Sequence, residues 1–341
     1  MENQNKPKIW ATFAPFEPVS QYLNEFADFD YNRSGALADR RMILDHLGGV
    51  QGLFVTLRDK IDANLIAAAP DLKAIATMSV GFDHIDVRKA TRGGIWVSNT
   101  PDVLTDATAD LAWALLLAVA RRIAEGDRLV RSGGYSGWRH DLLLGNELSG
   151  KTLGIWGAGR IGQAIARRAL GFNLRIIYHS RTRKPDFERQ MRARYVEWPE
   201  LFRQSDFLFP SVSLNDETRE RIGPTEFNLM KRSAILVNIA RGGLIQEAEL
   251  IRALRRERIA GAGLDVYVDT TGIHKKLGDL DNVVLTPHIG SATVETREKM
   301  AFIAAEDLIR VLNGAPPRFA VNEVRTQKLD TVPLGRRAKT A

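Results

Sequence analysis

Residues 157–162 read Gly157-Ala158-Gly159-Arg160-Ile161-Gly162, a G-x-G-x-x-G directly after the apolar run 153–156 and at the head of the helical run GQAIARRAL. A strand that passes at once into a helix through three glycines constrains this chain more than any other feature it carries. The first glycine permits a tight turn, the second lets backbone N–H groups approach a pyrophosphate, and the third lets the helix pack closely on its sheet. A glycine-rich turn without a ligand is the alternative, and the strand and helix on either side weigh against it. The expected setting is an open, doubly wound parallel sheet.

The chain carries enough strand-like runs for two such sheets. From 8 to 99, short β-branched or aromatic runs (IWATF, GLFVT, LKAIATM, GIWVSN) alternate with polar, helix-like stretches, as in a parallel sheet wrapped by helices. A second series begins at Lys151, with strands expected at TLGIW, LRIIYH, DFLFPSVS, AILVNI, AGAGLDV and NVVLTP. Between the two, residues 106–122 are rich in Ala and Leu and read as a buried connecting helix, preceded by a hinge near 100–102, where Pro101 breaks the chain. The amphipathic segment 291–313, stopped by Gly314 and Pro316, follows the second sheet and can cross back to the first domain. The fold class is therefore α/β, with two Rossmann-like doubly wound domains. The expected boundaries are 1–101 plus 293–324 for a discontinuous, flavodoxin-like substrate domain and 102–292 for the dinucleotide-binding domain, leaving 325–341 as a loose basic tail.

Composition removes several function classes. The 341 residues include no cysteine, which excludes disulfides, thiolate metal sites and a cysteine nucleophile and fits a reducing compartment, so the expected location is the cytoplasm. The six histidines never pair at helical spacing and no carboxylate cluster accompanies them, so no catalytic metal is expected. Of the net charge of +7, the tail after Val324 supplies +4; the near-neutral body gives no reason to expect nucleic acid. The N-terminus lacks an apolar signal core, and the longest uncharged apolar run, 111–120, is about half of what a bilayer span requires. No membrane role is expected.

The strand LRIIYH ends about 20 residues beyond the first glycine, where an Asp or Glu reads the adenosine ribose of NAD. Here the chain has the basic run His179-Ser180-Arg181-Thr182-Arg183-Lys184. A carboxylate would repel a 2′-phosphate, whereas Ser180, Thr182 and a bidentate Arg181 attract it. NADPH is therefore expected in preference to NADH. A solvated basic turn is the bland alternative, and its position at the ribose end of the strand speaks against it.

Six motifs in order, MSVGFDHIDV (78–87), VSNTPDVLTDATADLAWALLLA (97–118), GAGRIG, VNIARGG (237–243), GAGLDV (261–266) and LTPHIGSAT (285–293), resemble the D-isomer-specific 2-hydroxyacid dehydrogenases. Within that family they look like the glyoxylate and hydroxypyruvate reductase branch. The resemblance implies that Arg241 orients a small 2-oxo acid, that His288 gives a proton during reduction and takes one during oxidation, and that the backbone N–H groups of Val80 and Gly81 bind the substrate carboxylate. It further implies that Thr105, Ile239, Ala240, Asp265, Ile289 and Gly290 line the nicotinamide half of the cofactor, with Asp265 ordering the site. Chemistry would occur between two closing domains of a homodimer, with Trp138 in the loop that can reach the partner subunit; a plain interface or core Trp is the alternative there.

One departure stands out. Where the family carries a Glu that hydrogen-bonds the His and favours its protonated form, this chain has Thr270, with Asp269 beside it. Threonine can share a hydrogen bond but supplies no charge. The loss gives some weight to a different class, a dinucleotide-sensing interaction protein of the corepressor type; retention of Arg241 and His288 favours the enzyme.

Overall fold

The computed structural model describes residues 6–268 and 275–324. Thr270 and Asp269, and the basic tail 325–341, lie outside the described residues. The chain divides into two compact units at the Thr100–Pro101 bond: one runs to Thr100 and resumes at Ala301, and the other is Pro101–Met300. The first unit is thus discontinuous.

In the first unit five parallel strands, β1 (Lys8–Ala11), β2 (Asp28–Tyr31), β3 (Gly52–Val55), β4 (Ala74–Thr77) and β5 (Trp96–Ser98), take the order β2-β1-β3-β4-β5. Each of β3 and β4 is buried along its whole length, which is why both read as continuous apolar runs and not as alternating ones. Leu53, Val55, Ile75 and Val97 share one core with Trp10, Leu65 and Ala90 from the flanking elements. β2, with the sequence DFDY, lies outside the runs expected as strands: it sits at the edge and buries only Phe29 of its four residues.

The free side of β5 is covered by the segment after the last helix. Asn99 N–H donates to the Phe319 carbonyl and Val321 N–H to the Val97 carbonyl, while the Asn322 side chain accepts from Val97 N–H at 2.8 Å and donates to the Ile95 carbonyl at 2.9 Å. These bonds occupy the polar edge that a terminal strand would otherwise leave open. They also explain why the chain beyond Ala301 belongs to this unit.

The second unit holds seven parallel strands: β6 (Thr152–Trp156), β7 (Arg175–His179), β8 (Arg194–Tyr195), β9 (Phe207–Pro210), β10 (Ile235–Asn238), β11 (Gly261–Leu264) and β12 (Val283–Leu285). Their order is β12-β11-β10-β9-β6-β7-β8, so the winding reverses between β6 and β9, the switch point where open α/β sheets bind ligands. The short edge strand β8 also lies outside the expected runs. The helix Thr105–Ala120 packs its buried face, including Ala109, Ala112, Trp113 and Leu116, into the core beneath this sheet. Gly263 in β11 makes that approach possible, since a Cβ there would lie 2.9 Å from the Leu115 Cβ. The last helix, Val294–Leu312, carries the chain from the second unit to the first and ends before Gly314, whose φ of +82° closes it. No helix among the described residues is long and apolar enough to cross a membrane.

Candidate active site

Each glycine of the 157–162 loop meets a different physical demand. Gly157 has φ of +101°, and a Cβ there would lie 2.5 Å from Val212 and 2.8 Å from the Ser211 carbonyl, both just after β9. A Cβ on Gly162 would collide with the Gly157 carbonyl, so the helix Arg160–Ala169 can start against β6 only without one. Around Gly159, by contrast, a Cβ would meet nothing within 4 Å. The protein leaves space there. Gly159 caps the helix without a side-chain hydrogen bond, so its first amides remain for an anion at the positive end of the dipole. The loop therefore fits the pyrophosphate of a dinucleotide. Ala158 is buried, Ile161 is half-buried, and the exposed Arg160 forms an ion pair with Asp102, just ahead of the Thr105–Ala120 helix.

At the end of β7 the basic run divides. Arg183 makes a two-pronged bond to Glu188, at 3.1 and 2.7 Å, and Glu188 also accepts from the Tyr178 hydroxyl. These partners hold the Glu188 carboxyl below, and the Arg183 guanidinium above, their usual values. Arg181 and Thr182 are exposed, and Arg181 makes no ion pair among the described residues. Ser180 donates to the Thr182 carbonyl at 2.7 Å, which shapes the turn. No carboxylate stands at 179–182, where the ribose is expected to be read.

Arg241, Asp265 and His288 leave the sheet at one edge. β10, β11 and β12 are adjacent and in register, with Asn238 opposite Leu264 and Leu264 opposite Leu285. Asp265 follows β11 at once, and Arg241 and His288 each come three residues after their strands. The Asn238 side chain folds the Arg241 loop, accepting from Ala240 N–H at 3.1 Å and donating to the Arg241 carbonyl at 2.9 Å. Gly242 follows because a Cβ would run into the Tyr267 backbone. Ile239 is buried, and Ala240 and Arg241 are half-buried.

His288 sits in left-handed backbone with φ of +57°, a conformation that His adopts more readily than most residues yet rarely without support. Asp265 supplies the support. Fully buried, it accepts from the Thr286 hydroxyl at 2.6 Å and from the amides of Ile289 and Gly290 at 2.8 Å each, clasping both sides of His288. Burial pushes the Asp265 carboxyl above the usual range, while these three bonds and the charge of Arg297 pull it back. The Tyr267 hydroxyl, pushed up to about 12 by burial and by the charge of Asp265, bonds the Leu264 and Thr286 carbonyls and braces the same turn. The amides of Ile289 and Gly290 are thus engaged within the protein. Thr108 stands beside Gly290, one turn along the helix from Thr105.

In the first unit, three successive carbonyls after β4 are pinned. Ser79 accepts from Thr100 N–H at 3.0 Å, Val80 from the Asn99 side chain at 2.7 Å, and Gly81 from the Ser79 hydroxyl at 2.6 Å. In a trans peptide N–H and C=O point oppositely, so the amides of Val80 and Gly81 are turned away from Thr100 and Asn99. Neither donates to an acceptor among the described residues. Two adjacent free amides suit a carboxylate. Sequence reading missed Asn99, Tyr267 and Ser79, although all three lie inside or beside the motifs it singled out. Trp138 is 82% exposed. No group of three or more His, Asp or Glu among the described residues could hold a metal.

A family model described as D-isomer specific 2-hydroxyacid dehydrogenase, NAD binding domain, matches residues 113–290. Over 322 residues the chain is 47% identical to a glyoxylate reductase of Thermococcus litoralis, covering 93% of this chain and 97% of that protein. A crystal structure of a Thermus thermophilus protein, 42% identical, matches with a TM-score of 0.87 over 92% of this chain and all of its own. An NADPH-dependent glyoxylate/hydroxypyruvate reductase from Sinorhizobium meliloti, solved with NADP and malonate, matches at 30% identity with a TM-score of 0.81, over 98% of this chain and 100% of that one.

Proposed function

Because this chain belongs to the D-isomer-specific 2-hydroxyacid dehydrogenase family, we propose that it reduces a small 2-oxo acid, glyoxylate or hydroxypyruvate, to the 2-hydroxy acid. The observation that carries this reading is the common edge of β10, β11 and β12, where Arg241, Asp265 and His288 emerge in the unit that also holds the glycine loop. The substrate class is supported by the glyoxylate reductases to which the chain is similar along nearly its whole length.

The cofactor is a nicotinamide dinucleotide, held by the amides after Gly159; when bound, it supplies the hydride for the carbonyl carbon. Arg241 holds the substrate carboxylate and polarises the carbonyl oxygen, and the amides of Val80 and Gly81 are further donors for a carboxylate. His288 protonates the oxygen as negative charge develops on it, and takes that proton back in oxidation. Asp265 keeps the His288 turn in place. Among cofactors NADPH is preferred: Arg183 is engaged with Glu188, and Arg181 remains for a 2′-phosphate.

The enzyme works as a homodimer. The helix Ile123–Arg131 buries none of its residues, and Ile123, Val130, Tyr135, Trp138 and Leu144 are all exposed within one stretch of chain. Exposed apolar side chains of this kind suit a contact between subunits. The activity is tested by following NADPH absorbance with glyoxylate, hydroxypyruvate, pyruvate and bulkier 2-oxo acids, and again with NADH. Oxidation should be fastest with one of the first two and NADPH. Tight cofactor binding without turnover on any 2-oxo acid would refute the reading and favour a nucleotide sensor.

A further inference from the structure

Below the Val80 and Gly81 amides lies a chain of side chains that the proposed chemistry does not use. Thr77, at the end of β4, is fully buried and Ser79 nearly so. The Thr77 hydroxyl lies 2.8 Å from the Ser79 hydroxyl and 3.0 Å from His84 Nε2. The Ser79 hydroxyl lies 2.6 Å from the Gly81 carbonyl. Further along, the His84 carbonyl accepts from Ile61 N–H at 2.9 Å, which anchors the returning end of the loop to the body of the unit.

The proton order in this chain follows from counting. A carbonyl only accepts, so Ser79 must spend its one hydroxyl proton on Gly81. Ser79 therefore accepts from Thr77, whose proton is then spent in turn. Thr77 must accept from His84, so Nε2 of His84 carries a proton. All four dipoles run the same way, from the imidazole N–H through two hydroxyls to the Gly81 carbonyl, and bonds so aligned strengthen one another. The carbonyl at the end is the one that fixes the peptide plane following Gly81.

We propose that His84, Thr77 and Ser79 form a hydrogen-bond relay whose role is positioning: it holds the loop so that the amides of Val80 and Gly81 face a substrate carboxylate. The proposal rests on the reading of that loop as a carboxylate site. None of the three side chains touches the reacting atoms. Their effect is on how well the loop keeps its shape before substrate arrives, which appears in substrate affinity more than in turnover.

Two measurements test it. Nitrogen-15 NMR of histidine-labelled protein should show a proton on Nε2 of His84, with the signal assigned by its loss in His84→Gln. The opposite tautomer would overturn the relay whether or not the protein turns over any substrate. In kinetics, Thr77→Val keeps the shape and removes the hydroxyl; it should raise KM for glyoxylate about five- to ten-fold, with kcat within about two-fold and NADPH affinity unchanged. Thr77→Ser should return KM to within about two-fold of wild type. Ser79→Ala should repeat the KM effect and carries the test if Thr77→Val does not fold. An unchanged KM in the folded variants, or a parallel loss of kcat and NADPH binding, overturns the positioning role. If the wild type reduces no 2-oxo acid but the Nε2 tautomer is found, the functional reading has failed and the relay has not.

Discussion

At the scale of single residues, the two arginines at the end of β7 illustrate how equal sequence signals acquire different meanings. Arg183 is tied to Glu188, so Arg181→Ala should raise KM for NADPH by about ten- to a hundred-fold, a bidentate charged contact being worth about 1.5 to 3 kcal/mol, while leaving NADH nearly unaffected. Equal losses for both cofactors would misplace the ribose site. Arg241→Lys keeps charge and loses the planar fork, so both KM for glyoxylate and kcat should suffer; His288→Gln should lower kcat at least about 100-fold and spare NADPH binding. Asp265→Asn puts an amide donor against one of the backbone donors that the carboxylate now accepts, and turnover should fall about ten-fold as the His288 turn loosens. Its stability carries a signature in pH. Burial raises the folded-state value of Asp265, so the stability this group contributes is full below the unfolded value and is lost as pH rises through the folded one. In urea unfolding between about pH 3.5 and 7, wild type should gain on the Asn variant toward acid; the reverse slope would contradict the assignment.

At the scale of elements, the glycine loop is where strand, turn and helix constrain each other. Gly162→Ala pushes a methyl into the Gly157 carbonyl; with backbone on both sides, only separation of the helix from β6 relieves it. The variant should lose about 1 to 3 kcal/mol in urea melts, the usual overpacking range, and should weaken NADPH and NADH binding together, in contrast to Arg181→Ala. The strands that escaped sequence reading, β2 and β8, are both edge strands. β2 alternates acid and aromatic residues, and β8 has only Arg194 and Tyr195. An edge strand needs one neighbour and one buried face, so it leaves little apolar signal.

At the scale of the whole molecule, the exposed face of the Ile123–Arg131 helix and the loop around Trp138 set the expected assembly. Light scattering should give about twice the chain mass of 38.0 kDa. The double variant Val130→Lys, Trp138→Ala should approach the single-chain mass while still binding NADPH, since neither side chain lies near the glycine loop in sequence or among its contacts. A wild-type protein of single-chain mass at every concentration would remove the homodimer. The chain divides at the Thr100–Pro101 bond, where Pro101 separates two strand series. The expectation that the last helix crosses back comes from its place after the second strand series; its anchor, the Asn322 side chain bonded along β5, leaves no signal in the sequence.

The sequence by itself determined whatever rests on local spacing: the alternation of strands and helices, the three-glycine turn, and the order of motifs that places Arg241 and His288 after apolar strands. Those signals are local because a backbone's periodicity and its turns are decided within a few residues. Tertiary structure alone decided which polar groups face each other. Asp265 clasps a turn more than 20 residues away, and Asn99 reaches back to Val80. A hydrogen bond depends on distance and direction between two groups, and those are set when packed strands bring their ends level, which no spacing along the chain encodes.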